Sequence, residues 1–204
     1  VKNFLLFFFL LFYGILFSQD KTNNEALVKQ GSFVVDAYYG VGTITGALVK
    51  AINTSTSSSS TSAGLIGPVG GRFEYMLSDV IAIGLDVQYS KFMLSWKEVN
   101  ANPPPSEYTY KIEWIRIRYL PKISFHFGGN EKTDGYASIF GGWMQSDFRV
   151  TSNDTTYTGK LAWPSFSFRI AVGARHFFNP HLGIFGELGV FGGGVFHGGI
   201  TFRF

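Results

Sequence analysis

Hydrophobic positions recur with a period of two along most of the chain. From Ile81 to Tyr89, the residues Ile81, Ile83, Leu85, Val87 and Tyr89 share one face, while Ala82, Gly84, Asp86 and Gln88 share the other. Between Ile115 and Phe127 every odd position is apolar or proline, and the even positions include Arg116, Arg118, Lys122, Ser124 and His126. In the stretch 165–176, Phe166, Phe168, Ile170, Val172 and Ala174 oppose Ser167, Arg169, Ala171, Gly173 and Arg175. Successive side chains of a strand point to opposite faces, so the pattern predicts two-faced β-strands. Eight such runs are predicted, at about 31–43, 65–77, 80–97, 108–127, 135–151, 160–177, 181–191 and 195–204.

The links between runs alternate in character. Residues 44–64 are long and rich in Ser and Thr, whereas Ser78-Asp79 is tight. The link at 98–107 carries Pro103-Pro104-Pro105, GGNEKTDG is of middling length, NDTTYTG follows, and Asn179-Pro180 is tight again. Long links on one side and mostly short ones on the other are what an up-and-down transmembrane barrel shows. Gly192–Gly194 breaks the rule, being short where a long link is expected. Pro121 is expected to mark a bulge or a local loss of pairing near the periplasmic rim, because proline is poorly tolerated inside a paired sheet.

Two-faced strands have two explanations. A soluble, lipocalin-like barrel buries the apolar face inside; a membrane barrel turns it to lipid. Either hides the apolar face from water; the charges, the aromatic apolar faces, the strand lengths and an export signal without Cys together favour the second. Asp36, Arg72, Glu74, Asp86, Arg116, Arg118, Arg169, Arg175, Glu187 and Arg203 all lie opposite apolar faces, with both signs present. An eight-stranded barrel is just wide enough inside for side chains to fill it, so these residues are expected to form a charge network in the lumen. Gly84, Gly173 and Gly189 would make room for them. Facing lipid, each Arg would cost about 2–4 kcal/mol at the bilayer midplane. Tyr38, Tyr39, Tyr89, Trp96, Trp114, Tyr119 and Trp143 lie near strand ends and are expected in interfacial girdles. The fold expected is therefore all-β, an eight-stranded antiparallel up-and-down transmembrane barrel.

Composition sharpens the picture. Aromatics make up 18% of the 204 residues and charged residues only 15%, against about 25% charged in ordinary globular domains. The absence of Cys excludes a disulfide scaffold, a thiolate metal site and a cysteine nucleophile. A net charge of +3 with scattered basic residues argues against a nucleic-acid partner. At the N-terminus, Lys2 precedes the apolar run Phe4–Phe17 and then Ser18-Gln19-Asp20. This reads as a secretory signal peptide over 1–19, with an uncleaved anchor as the alternative. Residues 20–30 are then a short periplasmic segment and 31–204 the outer-membrane barrel.

The stretches FEYMLSDVIAIGLDVQYS (73–90), IRIRYLPKISFHF (115–127) and FRIAVGARHFFNPHLGIFGELGVFGGG (168–194) resemble the small outer-membrane β-barrels common in Bacteroidetes. Those are in turn similar to OmpA/OmpX-type eight-stranded barrels, and some relatives are PorT-like proteins associated with a secretion system. The last strand carries the most specific likeness. His197, Gly199, Phe202 and Phe204 match the terminal pattern that barrel-assembly machinery reads, with Ile200 extending the apolar face. The resemblance implies the outer membrane, contact with its lipid and handling by that machinery, and no common activity.

Chemistry is otherwise sparse. His126, His176, His181 and His197 show no ligand spacing and are expected as network or rim residues. Asp86, Glu74 and Glu187 are better read as ion-paired packing than as acid–base groups. No G-x-S-x-G motif occurs, and GVGTIT at 40–45 lacks the last glycine and the following helix of a nucleotide loop. The expectation is a non-enzymatic protein without cofactor or metal. Its loops at 44–64, 98–107 and 152–159 would meet a protein partner or the environment. An accessory role in an outer-membrane assembly or secretion machine, and a lipid-modifying enzyme, are the alternatives.

Overall fold

The computed structural model describes residues 28–43, 47, 61–100, 106–130, 132–153, 159–160 and 165–204. The expected signal peptide, Pro103–Pro105, and most of the loops at 44–64 and 152–159 lie outside the described residues. Among the described residues nine strands form: β1 (Phe33–Val41), β2 (Thr61–Met76), β3 (Ile81–Asn100), β4 (Ser106–Asn130), β5 (Thr133–Ser152), β6 (Gly159–Lys160), β7 (Phe166–Phe177), β8 (Leu182–Phe191) and β9 (Phe196–Arg203). Every pairing is antiparallel. β1 to β5 pair in succession, β5 pairs with β7, and β7, β8 and β9 follow in order. β9 then returns to β1 and closes the ring. The result is a closed eight-stranded barrel, with β6 adding a two-residue rung to β5 at Arg149↔Lys160 and Val150↔Gly159. The run expected at 160–177 is thus two pieces, and its wall strand begins only at Phe166.

The tight turns have local causes. Ser78 Oγ accepts the N–H groups of Val80 at 3.3 Å and Ile81 at 3.0 Å. Asn179 Oδ1 does the same for His181 at 2.9 Å and Leu182 at 2.8 Å. Such side chains stand in for a backbone turn. These links, with Lys132 just before β5, define the turn end of the barrel; the other is the loop end. Phe33 and Phe204 exchange both backbone hydrogen bonds, at 3.0 and 2.9 Å, and complete the seam at the turn end.

At that end Val28 packs with Val34, Met76 and Ala82, all buried. Gly31 N–H donates to the Met76 carbonyl at 2.9 Å, and Gln30 N–H to Asp79 Oδ1 at 2.7 Å. The residues just before β1 are therefore pinned across the mouth, which alternation in the strands could not reveal.

Pro121 pairs with Leu85 on the β3 side. Toward β5 the paired positions run to Tyr119↔Trp143 and resume at Lys122↔Phe140 with the register unchanged. Pairing lapses without a bulge, and it does so within the wall rather than at a rim. The register shifts lie elsewhere, at Ile66/Val69 and His126/Gly128.

β3, β4 and β5 have 20, 25 and 20 residues, against 9 in β1 and 10 in β8. About ten residues suffice to cross an apolar band of roughly 25 Å. The three long strands therefore rise past the loop-end rim, and Thr61–Ile66 of β2 pairs along Lys91–Trp96 of β3 beside them. Polarity reverses there. Below the rim, outward positions are Ile81, Ile83, Leu85 and Val87 on β3, Ile123 and Phe125 on β4, and Ile139 and Trp143 on β5, all exposed. Above it, the outward parity carries Lys91, Lys97, Lys111, Glu113, Asp147 and Arg149. The inward parity carries Phe92, Leu94, Trp96, Ile112, Trp114, Phe148 and Val150.

Candidate functional site

The lumen is where the titratable side chains converge. Asp36, Glu74, Asp86, Asp134 and Glu187 are buried there together with Arg72, Lys122, Arg169 and Arg175. Each is placed by strand parity, since the positions sharing its face are likewise buried while their neighbours point outward. β1, for example, alternates exposed and buried without a break.

Two linked clusters result. In the one nearer the loop end, Arg72 grips two carboxylates. Its Nη2 lies 3.1 Å from Asp86 Oδ2, and its Nη1 lies 2.7 Å from Glu187 Oε2. Arg169 Nη2 reaches Glu187 Oε1 at 3.2 Å, and its Nη1 donates to the Gly194 carbonyl at 2.6 Å. Tyr38 hydroxyl donates to Asp86 Oδ1 at 2.5 Å, and Tyr136 hydroxyl to Glu187 Oε2 at 3.2 Å. The rings of Tyr38, Phe140 and Phe185 surround the Arg72 guanidinium at 5.1 to 5.5 Å. A delocalised cation on aromatic faces is stabilised by their quadrupoles.

In the cluster nearer the turn end, Arg175 is the hub. It pairs with Glu74, with Asp36 at 3.0 Å and with Asp134 at 3.4 Å. Lys122 Nζ lies 3.1 Å from Glu74 Oε1. His126 stands between Asp134 at 3.0 Å and Glu74 at 3.4 Å. Asp36 joins the clusters, since Arg72 Nη1 is 3.7 Å from its Oδ2. Ser124 and Ser138 share a hydrogen bond of 2.8 Å on the same lumen face. Charges taken out of water are tolerated only when paired and hydrogen-bonded in this way.

Arg116, Arg118 and Arg203 stand apart from these clusters. Arg203 occupies the turn-end mouth, where its Nε donates to the Pro180 carbonyl at 2.9 Å and its guanidinium lies 5.1 Å from the Phe177 ring. Arg116 and Arg118 occupy the loop-end mouth, and the Arg116 guanidinium lies 4.2 Å from the Trp114 ring centre. Parity placed these three on the charged face, but their height in the wall separates them from the carboxylates.

The histidines divide by height too. His126 and His197 are buried in the lumen, His197 stacking on Tyr38 at 4.6 Å. His176 shares the outward parity of β7, and His181 Nδ1 bonds the Arg203 carbonyl at 2.9 Å at the turn end. Among the described residues, no three His, Asp or Glu side chains are grouped to hold a metal ion.

Three aromatics depart from the girdles expected of them. Tyr38 shares the parity of Asp36 and is buried in the lumen, while Trp96 and Trp114 share the inward parity of the extension. Tyr39, Tyr119 and Trp143 do face outward and are exposed. On the extension, outward ion pairs join β3 to β4, Lys91–Glu113 at 2.8 Å and Lys97–Glu107 at 2.5 Å, while Lys111–Glu113 at 3.2 Å lies within β4. Hydrogen bonds from Lys91 and Lys111 hold the Glu113 carboxyl below its usual range.

Sequence reasoning missed Lys122, Asp134, Tyr38 and Tyr136 as members of the network. For Lys122 and Tyr38 the signal was available in parity. Asp134 lies in GGNEKTDG, whose composition predicts a loop.

In the last strand, His197 and Gly199 face inward, while Phe202 and Phe204 lie on the outward parity beside Ile200.

No protein-family model matches the chain, and no curated protein is detectably similar to it in sequence. Among solved structures, it is similar to the N-terminal β-barrel domain of Pseudomonas aeruginosa OprF. That match has 14% identity and a TM-score of 0.43, over 87% of this chain and 100% of that one. It is similar to the outer membrane protein OprG of the same organism at 12% identity and a TM-score of 0.47, over 88% and 99%. It is also similar to Ail, the attachment invasion locus protein of Yersinia pestis, in complex with the heparin analogue sucrose octasulfate. There the identity is 10% and the TM-score 0.43, over 86% and 99%. Values this low transfer no property to this chain.

Proposed function

We propose that the chain is an integral outer-membrane barrel whose lumen is closed by its own side chains, and whose role is played at the loop end. One observation carries this reading: the outward face is apolar around the ring and turns charged within one same-face step on three neighbouring strands, at Lys91 on β3, Glu113 on β4 and Asp147 on β5. A wall in water has no reason to change polarity at a fixed height; a wall leaving lipid does. The lumen clusters leave no continuous aqueous path of the kind that barrels of about sixteen strands possess. The protein is therefore a scaffold that presents its loops and its β3–β5 extension outside the cell, rather than a pore or an enzyme. Lipid surrounds the wall, and the last strand (His197, Gly199, Phe202 and Phe204) is the segment that the assembly machinery reads.

The test uses one substitution on either side of the polarity switch. Ile139 is half-exposed in the middle of the β5 wall, and Gln145 is exposed on the same parity above Trp143. Ile139→Arg is expected to destabilise the barrel in lipid by about 2–4 kcal/mol, while Gln145→Arg has almost no effect. Urea unfolding in liposomes, read by the mobility difference between boiled and unboiled samples, measures both. Equal tolerance of the two, or recovery of the protein from the soluble periplasm without a mobility shift, would overturn the reading.

A further inference from the structure

Every carboxylate of the lumen is committed to a cation of the two clusters, yet one cation is left over. Arg118 is 7% exposed and, among the described residues, makes no hydrogen bond and no ion pair; its Nε is sealed from solvent without an acceptor. The carboxylate whose charge it feels, Asp86, is already held by Arg72 and Tyr38, and Arg169, a like charge, also acts on it. Arg116 lies two residues away on the same face, about 7 Å along the strand, so two guanidiniums share the loop-end mouth. Ser90 sits directly across from Arg116, is 1% exposed, and has a hydroxyl without a partner. A buried charge without a counter-charge costs several kcal/mol, and neighbouring like charges raise that cost. A guanidinium fork beside a free hydroxyl donor is the donor set that recognises an oxyanion.

From this geometry we infer that the loop-end mouth binds one oxyanion of the phosphate class, with Arg118 as its principal ligand, Ser90 as a second donor, and Arg116 adding charge. The anion is supplied either by the medium or by the headgroup of a lipid lying against the rim. The site follows from the barrel's interior alone. Its failure would leave the membrane placement untouched, since that placement is read from the mobility shift and this site is not.

Inorganic phosphate is titrated into the folded barrel in an uncharged maltoside detergent, and tryptophan fluorescence is followed because the Trp114 ring lies against Arg116. A saturable change is expected. Arg118→Met should weaken it by about tenfold or more, and Ser90→Ala by a smaller factor. Each variant is first shown to keep the unboiled mobility shift. If Arg118→Met fails to fold, Arg118→Lys, which keeps the charge and loses the fork, is expected to weaken binding severalfold. The titration is then repeated in phosphatidylglycerol nanodiscs. Unchanged affinity assigns the site to a soluble anion, and suppressed phosphate binding assigns it to the lipid headgroup. No saturable response in the parent protein, or equal affinity in the Arg118 and Ser90 variants, overturns the proposal.

Discussion

Arg72 is a crosslink in all but covalency. From β2 it reaches Asp86 on β3 and Glu187 on β8, on opposite sides of the lumen, while three aromatic rings crowd its guanidinium. Arg72→Met fills a similar volume but leaves two buried carboxylates short of a partner. It is expected to cost about 3–5 kcal/mol, measured from the urea midpoint of the folded band. Adding Glu187→Gln should return part of that loss, because one orphaned charge is then neutral; a double variant no better than Arg72→Met alone would show that Glu187 is not what Arg72 holds. At this scale the sequence declares which face a residue occupies and is silent on whom it meets. Asp86 and Arg72 share a face by parity, but only closure of the ring brings Glu187 across to complete the pair.

At the scale of elements, the β1–β9 seam is the place where the two ends of the sheet must fit. A Cβ added at Gly199 would land on the Ala37 carbonyl and the Tyr38 Cα, which are backbone atoms of β1 that cannot step aside. A Cβ at Gly189 would instead meet the guanidinium of Arg169, the far end of a flexible side chain. Gly199→Ala is therefore expected to cost about 1–3 kcal/mol through overpacking, and Gly189→Ala clearly less. Urea midpoints of the two variants side by side settle the order, and the reverse order would mean that the seam is not closely packed. The β3–β5 extension shows what a period-two reading passes over. Apolar parity is odd up to Tyr89 and, Met93 apart, even from Phe92 to Trp96, and on β4 it switches back between Trp114 and Ile115. That switch was written in the chain, but a count of alternation within each run treats both halves as one strand.

The whole molecule is a cylinder whose outside is apolar and whose inside is ionic, the opposite of a soluble barrel. The function proposed for it has the interior side chains close the lumen. Planar bilayers containing the purified protein should show no discrete conductance steps; regular ohmic steps would mean that the charge clusters open. The eight wall strands were legible from alternation to within a few residues, because a strand with one apolar face and one polar face must alternate at every position. The exceptions follow from contacts between segments distant in sequence. The wall of β7 starts at Phe166 because its partner Trp143 is the last outward apolar residue of β5, and residues 28–32 are fastened by the β2–β3 turn.

By itself the amino-acid order determined the strands, their two faces and the all-β closed architecture, since period-two patterning depends on each residue's neighbours along the chain. The tertiary structure decided how high in the wall each charge stands. That height depends on the stagger of eight strands around a ring, which no single strand encodes. It separates Arg72, Arg169 and Arg175, each matched to carboxylates, from Arg118, which shares their face and makes no ion pair among the described residues.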